Sequence, residues 1–220
     1  MTFKAVLFDH DGTLVDSEVC HFEHWVKVLK RFSIDLSKVD YATQYAGVPS
    51  ASNAIEMVSR FNLDLSGPEL LLKKNQTTRE YLSDRAFPLM THALESIEVL
   101  HKLNVPLGMV TGASRMGMNR TIDYYELGRF LKVRVSADDV KQSKPAPDCY
   151  LLAVNQLELE SHHCIAIEDT EHGVASAIGA GLSCIAIPNE LSKTHDFSKA
   201  TIVLPHLNAA MDWLEPRLCY

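Results

Sequence analysis

The sequence lacks the features that direct a chain into or across a membrane. No apolar stretch among its 220 residues reaches the length of a transmembrane helix, and Met1 leads directly into an apolar run, so no signal peptide is expected. Positive charge is also scarce: 21 Lys and Arg face 28 Asp and Glu, for a net charge of −7. A negative surface argues against nucleic acid and against anionic membranes as partners.

Cysteine is sparse and shows no pairing pattern. The five cysteines are odd in number, and none belongs to a C-x-x-C pair. Cys164 and Cys184 head apolar runs, where we expect them to act as small buried residues in a reducing compartment. We therefore predict a cytoplasmic protein. A G-x-G-x-x-G fingerprint is missing after the first apolar run, which argues against a dinucleotide site.

The most informative segment is an apolar run that ends in two carboxylates. Residues 5–8 are apolar without alternation, which predicts a short strand buried on both faces. Asp9 and Asp11 follow, and Gly12 then permits a sharp turn. Carboxylates at the carboxyl end of a buried strand can bind a hard cation, act as a nucleophile or move protons. The alternative is that both residues only cap a turn. Alternation points His10 away from the crevice or toward the inserted segment, so we assign it no catalytic step.

Three later segments also place polar or charged residues where they could bind an anion or a metal ion. Thr111 and Gly112 follow an apolar run at the start of a helical pattern, where a hydroxyl and backbone N–H groups can face an anion. Lys144 precedes Pro145, which restricts its backbone, and its ammonium can bridge a phosphate and a carboxylate. Glu168 and Asp169 end another apolar run and could complete the oxygen ligands of a magnesium ion. Taken alone, each segment has an ordinary alternative. The Thr111 and Glu168-Asp169 segments could simply cap helices, and Lys144 could be a solvated surface lysine.

Strand-like and helix-like stretches alternate along most of the chain. Apolar runs predict strands near residues 3–9, 106–111, 133–136, 164–168, 184–187 and 201–204. Helical patterns separate them near 91–104, 114–126, 147–157 and 172–180. This order is typical of an α/β fold, in which helices cover a parallel sheet and strand ends meet at one edge.

The stretch between the first strand and residue 88 has only helical patterns. Apolar residues at helical spacing include Phe22, Val26 and Leu29, and a second set is Ile55, Val58 and Phe61. A break at 66–68 precedes a third helical stretch. We therefore predict a helical domain over 16–85, inserted into an α/β core formed by 1–15 and 86–220.

Taken together and in this order, the four segments resemble the motifs of the haloacid dehalogenase superfamily, in its β-phosphoglucomutase-like branch of phosphatases and mutases. The resemblance rests on Asp9 to Thr13, Thr111, Lys144 and Glu168-Asp169. It implies a Rossmann-like parallel sheet with helices on both faces and an inserted, all-helical cap domain that selects the substrate. Because Asp11 is present, phosphoryl chemistry is expected instead of carbon–halogen attack.

The resemblance also implies a role for each motif residue. Asp9 would be the nucleophile that forms an aspartyl-phosphate, with Asp11 as general acid and base. Thr111, Gly112 and Lys144 would hold the transferring phosphate oxygens. Mg²⁺ would be bound by Asp9, Asp11 (through its backbone carbonyl) and Asp169, and Glu168 would support the metal site without binding the ion directly. The expected activity is magnesium-dependent hydrolysis of a small phosphorylated metabolite, in particular a sugar phosphate.

Two other functions stay open from the sequence. His21 resembles the histidine of sugar-phosphate mutases that helps control the general acid, which favours a mutase. However, Pro49-Ser50 follows Gly47-Val48 where mutases have Ser-Arg, and a serine cannot grip a second phosphate. Lys74 could compensate, although a solvated helix lysine is the favoured interpretation. The third hypothesis is a noncatalytic phosphometabolite-binding protein. No pattern in the sequence predicts an oligomeric state.

Overall fold

A computed structural model describes residues 2–219 and divides them into two compact units. The α/β unit contains the described residues up to Asp16 and those from Pro88 onward. The helical unit is Ser17–Phe87. Within the described residues, no helix combines the length and the apolar character that crossing a membrane requires.

The α/β unit is built on a six-stranded parallel sheet in the order β3-β2-β1-β4-β5-β6. The strands are β1 Ala5–Phe8, β2 Leu107–Val110, β3 Leu131–Val135, β4 Cys164–Glu168, β5 Ser183–Ala186 and β6 Ile202–Val203. Each corresponds to a predicted strand, so the predicted α/β class with a parallel sheet is confirmed. Cys164 and Cys184 are buried in β4 and β5 as free thiols.

In chain order the helices are α1 Ser17–Lys30, α2 Lys38–Gln44, α3 Ser50–Arg60, α4 Gly67–Leu82, α5 Ala93–Lys102, α6 Arg115–Tyr124, α7 Asp148–Leu157, α8 Glu171–Gly179 and α9 Leu207–Leu214. Neither α2 nor α9 was predicted from the sequence. Helices cover both faces of the sheet. Strand β1 carries apolar side chains on both of its faces, and each face packs against a different helix. Val6 and Phe8 pack in the cluster that includes Ile97 of α5, whereas Leu7 packs in the one that includes Tyr150 of α7.

The helical unit has its own apolar core, formed by residues such as Trp25, Leu29, Tyr41 and Met57. The predicted break at 66–68 is the start of α4, where Ser66 and Glu69 form a capping box. The predicted apolar face of α3 needs a correction. Val58 and Phe61 pack partly buried against this core, as predicted, but Ile55 is 63% exposed. The residues that α3 buries most fully are Asn53, Ala54 and Met57, because the stripe beside Ile55 faces the core.

Candidate active site

The candidate site lies at the carboxyl ends of three adjacent strands, β2, β1 and β4. Asp9 directly follows β1, Thr111 follows β2, and Glu168 is the last residue of β4. Parallel strands bring their carboxyl ends to the same edge of a sheet, which is where open α/β sheets bind ligands. Residues 100 and 135 positions apart in the chain therefore come together here.

Lys144 is the centre of this group. Its ammonium donates to Asp9 Oδ1 at 2.5 Å, to Glu168 Oε1 at 2.6 Å and to the Val110 carbonyl at 2.7 Å. The lysine side chain is only 8% exposed, so these contacts form away from bulk water. Burial alone would lower the pKa of Lys144, but Asp9 and Glu168 raise it above its usual value. The lysine therefore stays charged.

The carboxylates around Lys144 carry more negative charge than one ammonium can balance. Burial raises the pKa of Asp9 to about 7, and repulsion from Glu168 adds to the rise while Lys144 opposes it. Burial, followed by repulsion from Asp9 and Glu168, raises the pKa of Asp169 well above its usual value. Buried like charges of this kind are typical of catalytic and metal-binding sites.

The buried carboxylates fit a divalent cation. Oxygen atoms of Asp9, Glu168 and Asp169 all lie within 4.8 Å of one another. Hard cations such as Mg²⁺ prefer carboxylate oxygens, and a second positive charge would relieve the repulsion that, after burial, raises the pKa values of Asp9 and Asp169. Glu168 Oε1 already accepts two hydrogen bonds, from Lys144 and from the Tyr150 hydroxyl at 2.7 Å.

Two backbone features shape the approach to these acids. Gly12 has a φ of +83°, and a Cβ at this position would lie 2.1 Å from Asp169 Oδ2. A Cβ on Gly173 would lie 1.9 Å from Glu168 Oε2. Only glycine allows the turn after β1 and the start of α8 to come this close to the carboxylates. Asp169 Oδ2 also accepts a hydrogen bond from Asn189 Nδ2 at 2.8 Å.

Thr111 and Gly112, the predicted phosphate-binding candidates, lie beside the acids. The Thr111 hydroxyl donates to Asp11 Oδ2 at 3.1 Å and accepts the Ala113 N–H at 2.9 Å. The Ser143 hydroxyl donates to the Gly112 carbonyl at 3.1 Å, which joins the Thr111 loop to the Lys144 segment. Both loops therefore present their polar groups at the same edge.

The expected orientation of His10 is wrong. Its ring does not point away from the acids: it is 1% exposed, with Nδ1 at 3.0 Å from Asp11 Oδ2 and Nε2 at 2.9 Å from Thr121 Oγ1. Strand alternation does not apply because the chain leaves β1 at Phe8 and His10 already lies in the turn. Burial alone would lower the pKa of His10, but the adjacent Asp11 raises it.

Tyr150 and Asn189 also contact the site and were not predicted. Tyr150 is fully buried on α7, donates to Glu168, and has its ring centre 4.9 Å from Lys144 Nζ. Asn189 lies in the loop after β5. Neither follows a pattern in the sequence that distinguishes it from an ordinary helix or loop residue, since only the packing of α7 and of this loop brings them to the acids.

The two candidates in the helical unit, His21 and Lys74, lie together. Lys74 Nζ is 3.3 Å from His21 Nδ1, and Lys74 is 3% exposed. The favoured interpretation of Lys74 as a solvated helix lysine is therefore wrong. Buried lysines are rare and are often functional.

Comparisons with known proteins agree with this architecture. The family described as haloacid dehalogenase-like hydrolase matches residues 6–187. Protein CbbY of Rhodobacter capsulatus is 31% identical, with 99% of this chain and 100% of that protein aligned. The fructose-1-phosphate phosphatase YqaB of Escherichia coli is 25% identical, with coverages of 84% and 96%.

A solved structure shares the fold. The haloacid dehalogenase family hydrolase of Deinococcus radiodurans R1, determined with bound phosphate and sodium, superposes with a TM-score of 0.79 at 22% identity, over 98% of this chain and 96% of that one. At this identity the likeness concerns the fold alone. The family match and the similarity to CbbY confirm the predicted resemblance: the chain belongs to the haloacid dehalogenase-like hydrolase family.

Proposed function

We propose that this protein is a Mg²⁺-dependent phosphatase that hydrolyses a small phosphomonoester, with sugar phosphates as the substrate class. The observation that carries the proposal is the buried contact of Asp9 with Lys144, beside Glu168 and Asp169. This arrangement supplies a nucleophilic carboxylate, a cation for the phosphate and oxygen ligands for a metal within one site. The name of the relative YqaB, a fructose-1-phosphate phosphatase, supports the substrate class.

In the first half of the reaction, an oxygen of Asp9 attacks phosphorus and forms an aspartyl-phosphate. The bond from phosphorus to the ester oxygen breaks, and Asp11 gives a proton to the departing alkoxide. In the second half, Asp11 takes a proton from water, the water oxygen attacks phosphorus, and the Asp9–phosphate bond breaks. Inorganic phosphate and the alcohol are the products, and Asp9 and Asp11 return to their starting states.

The other site residues hold charge in place. Lys144, the Thr111 hydroxyl and the Gly112 N–H bind the phosphoryl oxygens as their charge redistributes. Asp9, the Asp11 carbonyl and Asp169 would hold Mg²⁺, with Glu168 supporting the site through Lys144. When bound, the ion reduces the repulsion between the nucleophile and the phosphoryl group. We assign substrate selection to the helical unit as a cap, with His21 and Lys74 as its candidate residues.

The test is turnover of a panel of sugar phosphates with and without Mg²⁺, with inorganic phosphate and isomerised sugar phosphate measured together. We expect phosphate release that requires Mg²⁺ and no isomer. The Asp9→Asn variant should lose more than about 10³-fold in kcat, as is typical when a nucleophile is removed. The exposed Asp123→Asn on α6 is the matched control and should keep full turnover.

Three outcomes would contradict the proposal. Full turnover in Asp9→Asn would reject the assigned nucleophile. A sugar phosphate isomer as the main product would favour the mutase. Binding of sugar phosphates without turnover across the whole panel would favour the noncatalytic hypothesis.

A further inference from the structure

His10 forms a buried link between the site and a helix behind it. One ring nitrogen contacts Asp11 Oδ2 at 3.0 Å, and the other contacts the hydroxyl of Thr121, on α6, at 2.9 Å. His10 and Thr121 are both essentially inaccessible to water. A buried ring with a partner on each nitrogen is fixed in position and rotation, so it can hold the carboxylate that it touches.

The direction of the bond to Asp11 follows from donor and acceptor chemistry. Asp11 Oδ2 accepts when the carboxylate is ionised, and it also accepts when Asp11 carries on Oδ1 the proton that it gives to the leaving oxygen, so Nδ1 carries a hydrogen and donates to Oδ2 in both cases. With one proton on the ring, Nε2 accepts from the Thr121 hydroxyl; with two, Nε2 donates to it. The bond from His10 to Asp11 is the same in both states. The contact with Asp11 therefore does not depend on the protonation of the ring.

The backbone of His10 fixes the same turn. Its carbonyl accepts the N–H groups of Leu14 and Val15, each at 3.0 Å, and the Gly12 N–H donates to the Val15 carbonyl at 2.8 Å. Thr111 donates to the same Asp11 oxygen from the neighbouring strand end. Asp11 is thus placed by the turn, by Thr111 and by His10, and His10 connects it to α6.

We propose that His10 is a positioning residue that aims the Asp11 carboxylate for proton transfer, with α6 as its anchor through Thr121. This role rests on the proposed function, in which Asp11 protonates the leaving oxygen. Proton transfer requires hydrogen-bond reach and alignment, and a small misplacement of the acid costs rate. The rate should fall for substrates whose leaving group needs the proton. The loss should be small for a leaving group that departs as a stable anion.

The experiment compares two substitutions that each keep one half of the ring's hydrogen bonding. His10→Asn retains a donor nitrogen near the place of Nδ1, and His10→Gln retains one near the place of Nε2. Each is assayed with saturating Mg²⁺ on an alkyl sugar phosphate and on p-nitrophenyl phosphate. The quantity compared is kcat/KM, because it reports the steps through the first phosphoryl transfer and excludes the later hydrolysis of the aspartyl-phosphate.

We expect His10→Gln to lose about 10²-fold on the alkyl ester, the lower end of the usual contribution of a general acid, and less than about 3-fold on the aryl ester. His10→Asn should recover most of the loss on the alkyl ester. Thr121→Val removes the anchoring hydroxyl and keeps the branched shape. It should also lose more kcat/KM on the alkyl ester than on the aryl ester, but by a smaller factor than His10→Gln. In an Asp11→Asn background, His10→Gln should add no further loss on the alkyl ester.

Equal losses on the two esters, or equal losses in His10→Asn and His10→Gln, would overturn the positioning role and leave His10 as a packing residue. If His10→Gln does not fold, Thr121→Val carries the same comparison, and an alkyl-to-aryl ratio equal to that of the unaltered protein would overturn the role. Absence of phosphate release from every ester by the unaltered protein would instead reject the proposed function, and this role with it.

Discussion

At the scale of single residues, two glycines allow the backbone to lie against buried carboxylates. Gly12 faces Asp169 and Gly173 faces Glu168, each at a distance that a Cβ would turn into a severe overlap. Gly173 lies in the first turn of α8, a helix in which alanine would ordinarily be the better residue. The preference for glycine here therefore comes from the site and not from the helix.

This contrast predicts opposite results for two substitutions in α8. Gly173→Ala should push Glu168 away from Lys144 and lower kcat by about 10²-fold, the cost of roughly 1 Å of misplacement. Gly179→Ala meets only Pro147 Cβ at an ordinary 3.6 Å, so it should keep kcat and hold or raise Tm. Steady-state kinetics and thermal unfolding of both variants test this, and equal kcat values in the two would contradict it.

At the scale of elements, α1 and α4 of the helical unit are joined by buried polar groups. His24 Nδ1, on α1, lies 3.0 Å from the Thr78 hydroxyl on α4. Burial, and then the positive charges of Lys74 and Lys27, lowers the pKa of His24 to about 4. The ring is therefore neutral in the folded protein at neutral pH, and its protonation would place a positive charge between α1 and α4, close to Lys74 and Lys27.

The consequence is an acid-sensitive helical unit. Because the pKa of His24 is about 4 when folded and about 6.5 when unfolded, the unfolded chain binds the proton first, and stability is lost as pH falls from about 6.5 to about 4. His24→Gln should reduce this loss. The free energy of unfolding is measured by urea unfolding at several pH values, with Trp25 fluorescence as the signal in a Trp213→Phe background.

The exposed His162→Gln is the matched control and should keep the pH dependence of the unaltered protein. An identical pH dependence in His24→Gln and in the unaltered protein would show that His24 does not destabilise the helical unit in acid.

Elements differed in how well they could be predicted from the sequence. The strands β1, β2 and β4 are uninterrupted apolar runs that end in polar motif residues, so both type and position were clear. Helix α9 is short, and it follows a strand of only two residues. Ile55 of α3 was wrongly assigned to the core because Asn53 and Ala54, one polar and one small, take core positions beside Met57, and period alone does not choose between adjacent stripes.

At the scale of the whole molecule, the order of the sheet decides which residues form the site. Asp9, Thr111, Lys144 and Asp169 were predictable because each belongs to a segment at a strand end or beside a restricting proline. His10, Tyr150 and Asn189 were not, because their relation to the acids depends on how a turn, α7 and a distant loop pack. Sequence patterns locate residues along an element, whereas these contacts are tertiary.

The surplus of buried negative charge predicts how metal and pH act on stability. Asp9 has a pKa of about 7 in the folded protein, against about 3.9 for an ordinary Asp, so without metal it disfavours the folded state increasingly as pH rises from about 4 to about 7. In the proposed function, a bound Mg²⁺ would replace those protons as the neutralising charge. At 100 times its Kd, a bound ion stabilises by about 2.7 kcal/mol.

We therefore expect 10 mM Mg²⁺, on the order of a saturating level, to raise Tm more at pH 8 than at pH 6, relative to EDTA. Asp9→Asn should lose most of this difference, because it removes both the titrating group and a proposed ligand, whereas Asp123→Asn should retain it. Thermal unfolding at the two pH values gives the comparison. An equal Tm shift at both pH values would contradict the assignment of the ion to these carboxylates.

The chain leaves and re-enters the α/β unit at two neighbouring points. The Asp16 N–H donates to the Pro88 carbonyl at 2.8 Å, the Met90 N–H donates to the Leu14 carbonyl at 2.9 Å, and Val15 pairs with Leu89 in an antiparallel bridge. Any segment whose two ends lie close together can be spliced between these points without shifting the register of the strands. The architecture therefore lets evolution exchange the insert, and a designer graft another, while the sheet edge that carries the candidate site keeps its form.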